Sequence, residues 1–351
     1  MNHDLVKDYY GKTLAGTADL KTDACTTVGA PPEPVRRALA GVHEAVAARY
    51  FGCGLVIPPA LEGLSILDLG CGAGRDVFAL ARLVGEHGRV VGVDMTEEQL
   101  GVAQAHEAWH AQSYGYAAPN TRFVEGYLED LESLDLAPAS FDVIVSNCVI
   151  NLCTDKPAVF RAAHRLLKPG GELFFSDIYA DRRVPEALKR DPVLYGECLS
   201  GALYWGDYLA MARAAGFSDP RVYAHRPLAL VDPVIAEKTA PIRFASVTAR
   251  LFKLGALEPA CEDYGQAVLY RGGLSGMERV FTLDVEHAIE AGRVFPVCGN
   301  TLAMLTQTRF APYFETLGDG ARHFGLFPGC KAPDVFAAAP MAAPPAVGGC
   351  C

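Results

Sequence analysis

No part of this 351-residue sequence reaches the eighteen or so uninterrupted apolar residues that a membrane-crossing helix needs. Its opening residues, MNHDLVKDYYGKTL, hold no apolar signal core. A cytoplasmic protein without membrane contact is expected. Positive charge is also short: 31 Lys and Arg stand against 41 Asp and Glu, for a net charge of −10. That balance lacks the basic face with which proteins grip nucleic-acid phosphates. Eleven cysteines are present, yet no two form a CxxC pair and none has the Cys/His spacing of a zinc site. In a reducing compartment so many thiols point away from a disulfide framework and toward metal binding, redox work or catalysis.

What the sequence does have is a glycine turn in a telling place. In LSILDLGCGAGRD (Leu64–Asp76) an apolar run containing Asp68 stops at Gly70, Gly72 and Gly74. From Arg75 onward, Val77, Leu80, Ala81 and Val84 recur at helical spacing. Strand, glycine turn and helix together let a backbone approach a nucleotide-like ligand closely. The pattern is GxGxG and lacks the GxGxxG that seats a pyrophosphate, which disfavours a dinucleotide. A second apolar run, RVVGVDM, ends about twenty residues later in Asp94, placed to accept both ribose hydroxyls. These two motifs resemble those of class I S-adenosylmethionine-dependent methyltransferases.

The following pattern predicts an α/β fold with a doubly wound, mostly parallel sheet. Strands are read at Leu64–Gly70, Arg89–Asp94, Thr121–Glu125, Phe141–Asn147 and Glu172–Asp177, with helices at about 75–87, 97–114 and 156–167. Residues 1–60 read as a capping segment that holds Cys25 and a helix from about Pro34 to Tyr50, with Val35, Leu39, Val42 and Val46 on one face. The cofactor-binding core spans 61–180. A region at 181–275 follows, carrying Cys198, Cys261 and two strands, Arg221–Leu230 and Arg243–Leu254. Residues 276–330 complete a small α+β part built on the core, and from Lys331 an Ala/Pro-rich tail ending in GGCC is expected to be disordered.

There is no DPPY or NPPY signature for amino-group methylation, and no His–acid pair placed to deprotonate a hydroxyl. What stands out instead is cysteine, at Cys25, Cys71, Cys198 and Cys261, and thiolates suit a soft, thiophilic centre. DLKTDAC, YFGCG, LDLGCGAGRD, SNCVINL, LYGECLSGALYW and RLFKLGALEPACEDYGQAVLY resemble, over roughly residues 5–330, the arsenite S-adenosylmethionine methyltransferases. The resemblance implies stepwise methylation of trivalent arsenic to mono-, di- and sometimes trimethyl species. It implies Cys198 and Cys261 as the arsenic ligands and Cys71 as a third ligand. It also implies Cys25 and Cys71 as thiols used with that pair in binding or in disulfide-linked turnover, which thioredoxin or glutathione restores. For S-adenosylmethionine it implies Tyr50, Asp68, Gly70, Gly72, Asp94, Met95, Leu128, Glu129 and Asn147, in a chain acting as a monomer.

On their own, Cys53, Cys148, Cys153 and Cys298 read as small buried hydrophobes. The terminal Cys350–Cys351 pair lies outside the shared pattern. Three other classes remain open at this point. A methyltransferase of an organic small molecule would need the core but neither Cys198 nor Cys261. A metalloid-sequestering protein would bind arsenite without releasing methylated product, and a redox protein would cycle disulfides without the cofactor.

Overall fold

The computed structural model describes residues 31–336 apart from 51, 53, 190, 197 and 331–334. Runs rich in Val, Ile and Leu form strands β1 (Ser65–Leu69), β2 (Arg89–Asp94), β3 (Thr121–Glu125), β4 (Phe141–Asn147) and β5 (Leu167–Ala180). All five pair in parallel in the order β3-β2-β1-β4-β5. Every residue of β1 is buried, as befits a strand with helices on both faces. The helix Arg75–Val84 packs Val77, Phe78 and Leu80 on one face, and the helix Lys156–Leu166 packs Val159, Phe160 and Leu166 on the other. The strand order reverses between β1 and β4, so the ligand crevice lies at their carboxyl ends.

The sheet does not stop at residue 180. β6 (Leu203–Tyr204) extends the end of β5. β7 (Arg221–Pro227) and β8 (Phe244–Phe252) complete the same sheet, β8 running antiparallel to β5 and β7 antiparallel to β8. The residues expected as a region of their own at 181–275 therefore supply two strands of the main sheet, β8 buried along its whole length and β7 at the edge. The KPGG turn at Lys168–Gly171 survives as a bulge: Phe141 pairs with Leu167, but Val143 already pairs with Glu172.

Two expected helices are broken. The one over 34–50 ends at Ala40, before Gly41, and restarts at Glu44 behind His43, whose Nδ1 accepts the Ala45 N–H. The one over 97–114 divides at His106, whose ring bonds the Val102 carbonyl.

Beyond the sheet come β9 (Glu262–Asp263), β10 (Ala267–Tyr270), β11 (Val280–Asp284), β12 (His287–Glu290), β13 (Val294–Pro296), β14 (Phe314–Leu317) and β15 (Gly325–Leu326). β10 lies between β13 and β14, β11 pairs with β12, and β9 with β15, all antiparallel. Their core holds Tyr270, Phe281, Leu283, Met304 and Phe310, and it includes Phe252 at the end of β8. This part is thus tethered to the main sheet. In the tail read as disordered, Val335 is buried against the main core and Phe336 packs beside it.

Candidate active site

Gly70, Gly72 and Gly74 all have positive φ, at 75°, 52° and 87°. At Gly72 an added Cβ would meet nothing within 4 Å, so glycine is demanded there by the dihedral alone and the space beyond stays open. The Gly72 N–H donates to Asp94 Oδ2 and the Thr96 N–H to Asp94 Oδ1, both at 2.8 Å. These donors fix the carboxylate in the wall of a cleft.

All nine residues expected to hold S-adenosylmethionine line this cleft. Asp68, Gly70 and Gly72 form the turn, and Asp94 and Met95 follow β2. Leu128 and Glu129 follow β3, with Glu129 Oε1 accepting from the Thr154 N–H at 2.6 Å. Asn147 ends β4, where its Nδ2 donates to the Tyr50 hydroxyl oxygen at 2.8 Å and to Asp76 Oδ2 at 3.1 Å. The Arg75 guanidinium stacks 3.4 Å above the Tyr50 ring.

Asp76, which the motif reading passed over, also faces the cleft, and its Oδ1 is buried without a hydrogen bond. Burial, together with the carboxylates of Asp76 and Asp94, pushes the Asp68 carboxyl well above its ordinary range. Burial pushes Asp94 up as well, against the hydrogen bonds from Gly72 and Thr96. Three crowded carboxyl groups, with Asp76 Oδ1 3.5 Å from Arg75 Nε, fit a ligand that carries an ammonium and a sulfonium. On this test the residues present suit S-adenosylmethionine.

The wall of the cleft continues past Asn147 into Cys148, and there the thiol chemistry enters. The Cys198 thiol donates to the Cys148 carbonyl at 3.5 Å. Both cysteines are buried, and both are held at φ +60°, a left-handed conformation uncommon for a residue with a side chain. The contact has a local cause. Gly201 lies so close to Asn151 that a Cβ would stand 2.2 Å from the Asn151 carbonyl oxygen. Glycine therefore lets the ECLSG turn press onto the loop after β4. Cys148 is disulfide-bonded. The sequence reading had taken Cys148 for packing; the signal was its place in SNCVINL, immediately after a ligand-facing strand end.

The other expected thiols do not join this pair. Cys71 lines the cleft, but its sulfur is packed against Gly92, where a Cβ would come within 2.7 Å of Sγ. Burial first, then Asp94 and Asp68, pushes its thiol well up. Cys71 is a free thiol, whereas Cys148 is in a disulfide. Cys261 lies with Cys298 and Cys330. Cys298 contacts Arg221 on β7, the sheet edge three strands from β4, about 14 Å at ordinary strand spacing. Cys25 falls outside the described residues.

A family model described as a methyltransferase domain matches residues 60–216, and one described as an arsenite methyltransferase C-terminal domain matches residues 264–335. The arsenite methyltransferase of Aquipseudomonas alcaligenes is 58% identical over 328 residues, 93% of this chain and 94% of that protein. The chain belongs to the arsenite methyltransferase family. The human arsenite methyltransferase is 43% identical over 312 residues, 88% of this chain and 82% of the human protein. The crystal structure of an arsenic(III) S-adenosylmethionine methyltransferase from Chlamydomonas reinhardtii superposes with a TM-score of 0.82 at 45% identity, covering 85% of this chain and all of that one.

In this arsenite methyltransferase family member the loop that carries Cys148 is braced from beneath. Asp177 accepts the Asn151 N–H at 3.0 Å and the Ile178 N–H at 2.9 Å. Burial pushes its carboxyl up to about 7, only partly offset by the backbone donors of Ile178 and Asn151 and by Lys156. Between the ordinary aspartate range and 7 the folded chain holds a proton that the unfolded chain has released. Stability from this group therefore falls as pH rises through that window, by up to about 1.4 kcal/mol per pH unit. Urea midpoints at pH 5 and pH 8 should differ in that direction for the native chain, and the difference should shrink in Asp177→Asn.

Proposed function

We propose that the chain transfers methyl groups from S-adenosylmethionine to trivalent arsenic held by Cys148 and Cys198, giving mono- and then dimethylated arsenicals. One observation carries this reading: the wall of a cleft suited to S-adenosylmethionine includes a cysteine in contact with a second one, both in a strained backbone conformation. Asp94, Glu129 and Asn147, with Tyr50, Asp68, Gly70, Gly72, Met95 and Leu128, would hold the cofactor, which when bound supplies an electrophilic methyl on a sulfonium. The two cysteines exchange the hydroxyls of arsenite for sulfur, releasing water. They leave the arsenic lone pair free, so no general base is required. Their placement beside the cleft makes the encounter effectively intramolecular.

A methylated lone pair leaves arsenic formally pentavalent, and two electrons must return before the next cycle. Oxidation of two cysteine thiolates to one disulfide supplies them, and the disulfide at Cys148 is that oxidation state. A dithiol or glutathione-class reductant, thioredoxin among them, would reopen it by exchange.

Incubation with arsenite, S-adenosylmethionine and a dithiol, followed by separation of arsenic species, should yield methylated arsenicals in step with S-adenosylhomocysteine. Cofactor turnover without methylated arsenic would reject the proposal. Asp94→Ala removes an acceptor that is itself fixed by two backbone donors. It should weaken S-adenosylmethionine binding about 10- to 100-fold, as expected for a charge-assisted hydrogen bond, and calorimetric titration would read it.

A further inference from the structure

The sulfur atoms of Cys261, Cys298 and Cys330 all lie within 4.8 Å of one another, and among the described residues no fourth His, Cys, Asp or Glu joins them. Three separate stretches of chain meet there by construction. Pairing of β9 with β15 brings the first and last together, the Phe327 N–H donating to the Cys261 carbonyl at 2.7 Å. Cys298 stands at the N-cap of the eight-residue helix Gly299–Thr306, with its Sγ 3.3 Å from the Thr301 hydroxyl and 4.0 Å from Arg221 Nη2. Arg221 is itself pinned by Asp219 and Asp284 at 2.7 and 3.1 Å, and Asn300 ties Asp219 to the Glu258 carbonyl. Cys298 is buried, Cys261 is half-buried and Cys330 is the exposed member of the trio.

We infer that these three thiols form a second, non-methylating binding site for trivalent arsenic. A thiolate-bound ion with bonds of about 2.3 Å spans sulfurs roughly 3.8 Å apart, so only a small closure of the trio is needed. A closed structural zinc site has four protein ligands, whereas trivalent arsenic, with its lone pair, is complete with three. Binding moves no electrons. Three As–O bonds break and three As–S bonds form, the three thiol protons leave with the three hydroxyls as water, and arsenic stays trivalent. No residue of the methionine cleft reaches this place, so arsenic bound here is held and not methylated. The choice of arsenite as ligand rests on the proposed function; the site itself rests on the geometry.

The test uses the full-length, reduced protein with arsenite alone. Alkylation by iodoacetamide is followed cysteine by cysteine by mass spectrometry. Arsenite should slow alkylation of Cys330 at least tenfold in the native chain and in Cys198→Ser. The protection should vanish in Cys261→Ser and, independently, in Cys298→Ser. Equal rates at Cys330 with and without arsenite would overturn the inference. So would protection by zinc at lower concentration than by arsenite, which would make this a zinc site. Methylation measured on the same samples separates the two claims: methylation with no protection at Cys330 rejects this site alone, and protection without methylation rejects the proposed function alone.

Discussion

Cys198→Ser should abolish arsenite methylation, with turnover falling roughly 10³-fold or more, while S-adenosylmethionine binds as before. Serine keeps the size and the backbone preference but offers a hard oxygen where a soft ion needs sulfur. Without a second thiolate the arsenic is no longer held against the cleft, and the advantage of an intramolecular reaction is lost. Because Cys198 is buried, a folding defect must be excluded, and its conformation provides the means. At φ +60° a glycine is more comfortable than a cysteine, so in Cys198→Gly about 1 kcal/mol of relieved strain offsets lost thiol packing. That variant should melt within a few degrees of the native chain and be equally inactive. Full activity in either variant would reject the ligand pair.

The contrast with Cys261→Ser makes the experiment decisive. The sequence resemblance groups Cys261 with Cys198, but in the fold Cys261 belongs with Cys298 and Cys330 at the far edge of the sheet. At saturating arsenite, Cys261→Ser should retain methylation within about twofold.

The pairing of cysteines is where reading the chain failed, and the reason is physical. The glycine turn, Asp94 and Asn147 were legible because each is fixed by local chemistry: a positive φ, a strand end, a spacing of about twenty residues. The cofactor cleft follows from those and the strand order. Which thiols meet is set instead by tertiary contacts that no local pattern records. Gly201 approaching Asn151, and Gly92 leaving room for Cys71, are glycines with no turn signature whose importance is visible only when the opposing atoms are placed. The extent of the sheet was misjudged for a related reason. β7 and β8 follow an irregular stretch after residue 180, so their return to the sheet edge depends on the antiparallel pairing of β8 with β5. The most polar part of that pairing was equally hidden: the strand was read from Glu172, but no local pattern shows which guanidinium groups its carboxylate meets.

Glu172→Gln should destabilise the chain by about 3–5 kcal/mol, with a melting temperature lower on the order of 10 °C. Glu172 on β5 and Arg250 on β8 are both fully buried, and Arg250 Nε donates to Glu172 Oε1 at 2.6 Å. The other oxygen pairs with Arg309, which comes from the C-terminal part and also donates to the Pro59 carbonyl at 3.0 Å. Arg250 Nη1 reaches the Leu283 carbonyl on β11 at 2.6 Å. One carboxylate thus holds two guanidinium groups where the C-terminal part meets the sheet. Glutamine keeps the shape but leaves two buried positive charges facing each other without a counter-charge, the costly way to break such a group. Burial alone would raise the Glu172 carboxyl, and the charges of Arg250 and Arg309 more than reverse it, so its folded value lies below the ordinary range. Its stabilisation is therefore present above the ordinary glutamate range and is lost as pH falls through the lower folded value. In Glu172→Gln that part of the acid dependence should disappear. A triple replacement, Glu172→Leu with Arg250→Met and Arg309→Met, removes all three charges and should recover most of the loss, since well-packed apolar side chains commonly match a buried ionic group. Denaturant unfolding of the three proteins decides it: a single variant as stable as the native chain would mean that this buried group does not join the two parts.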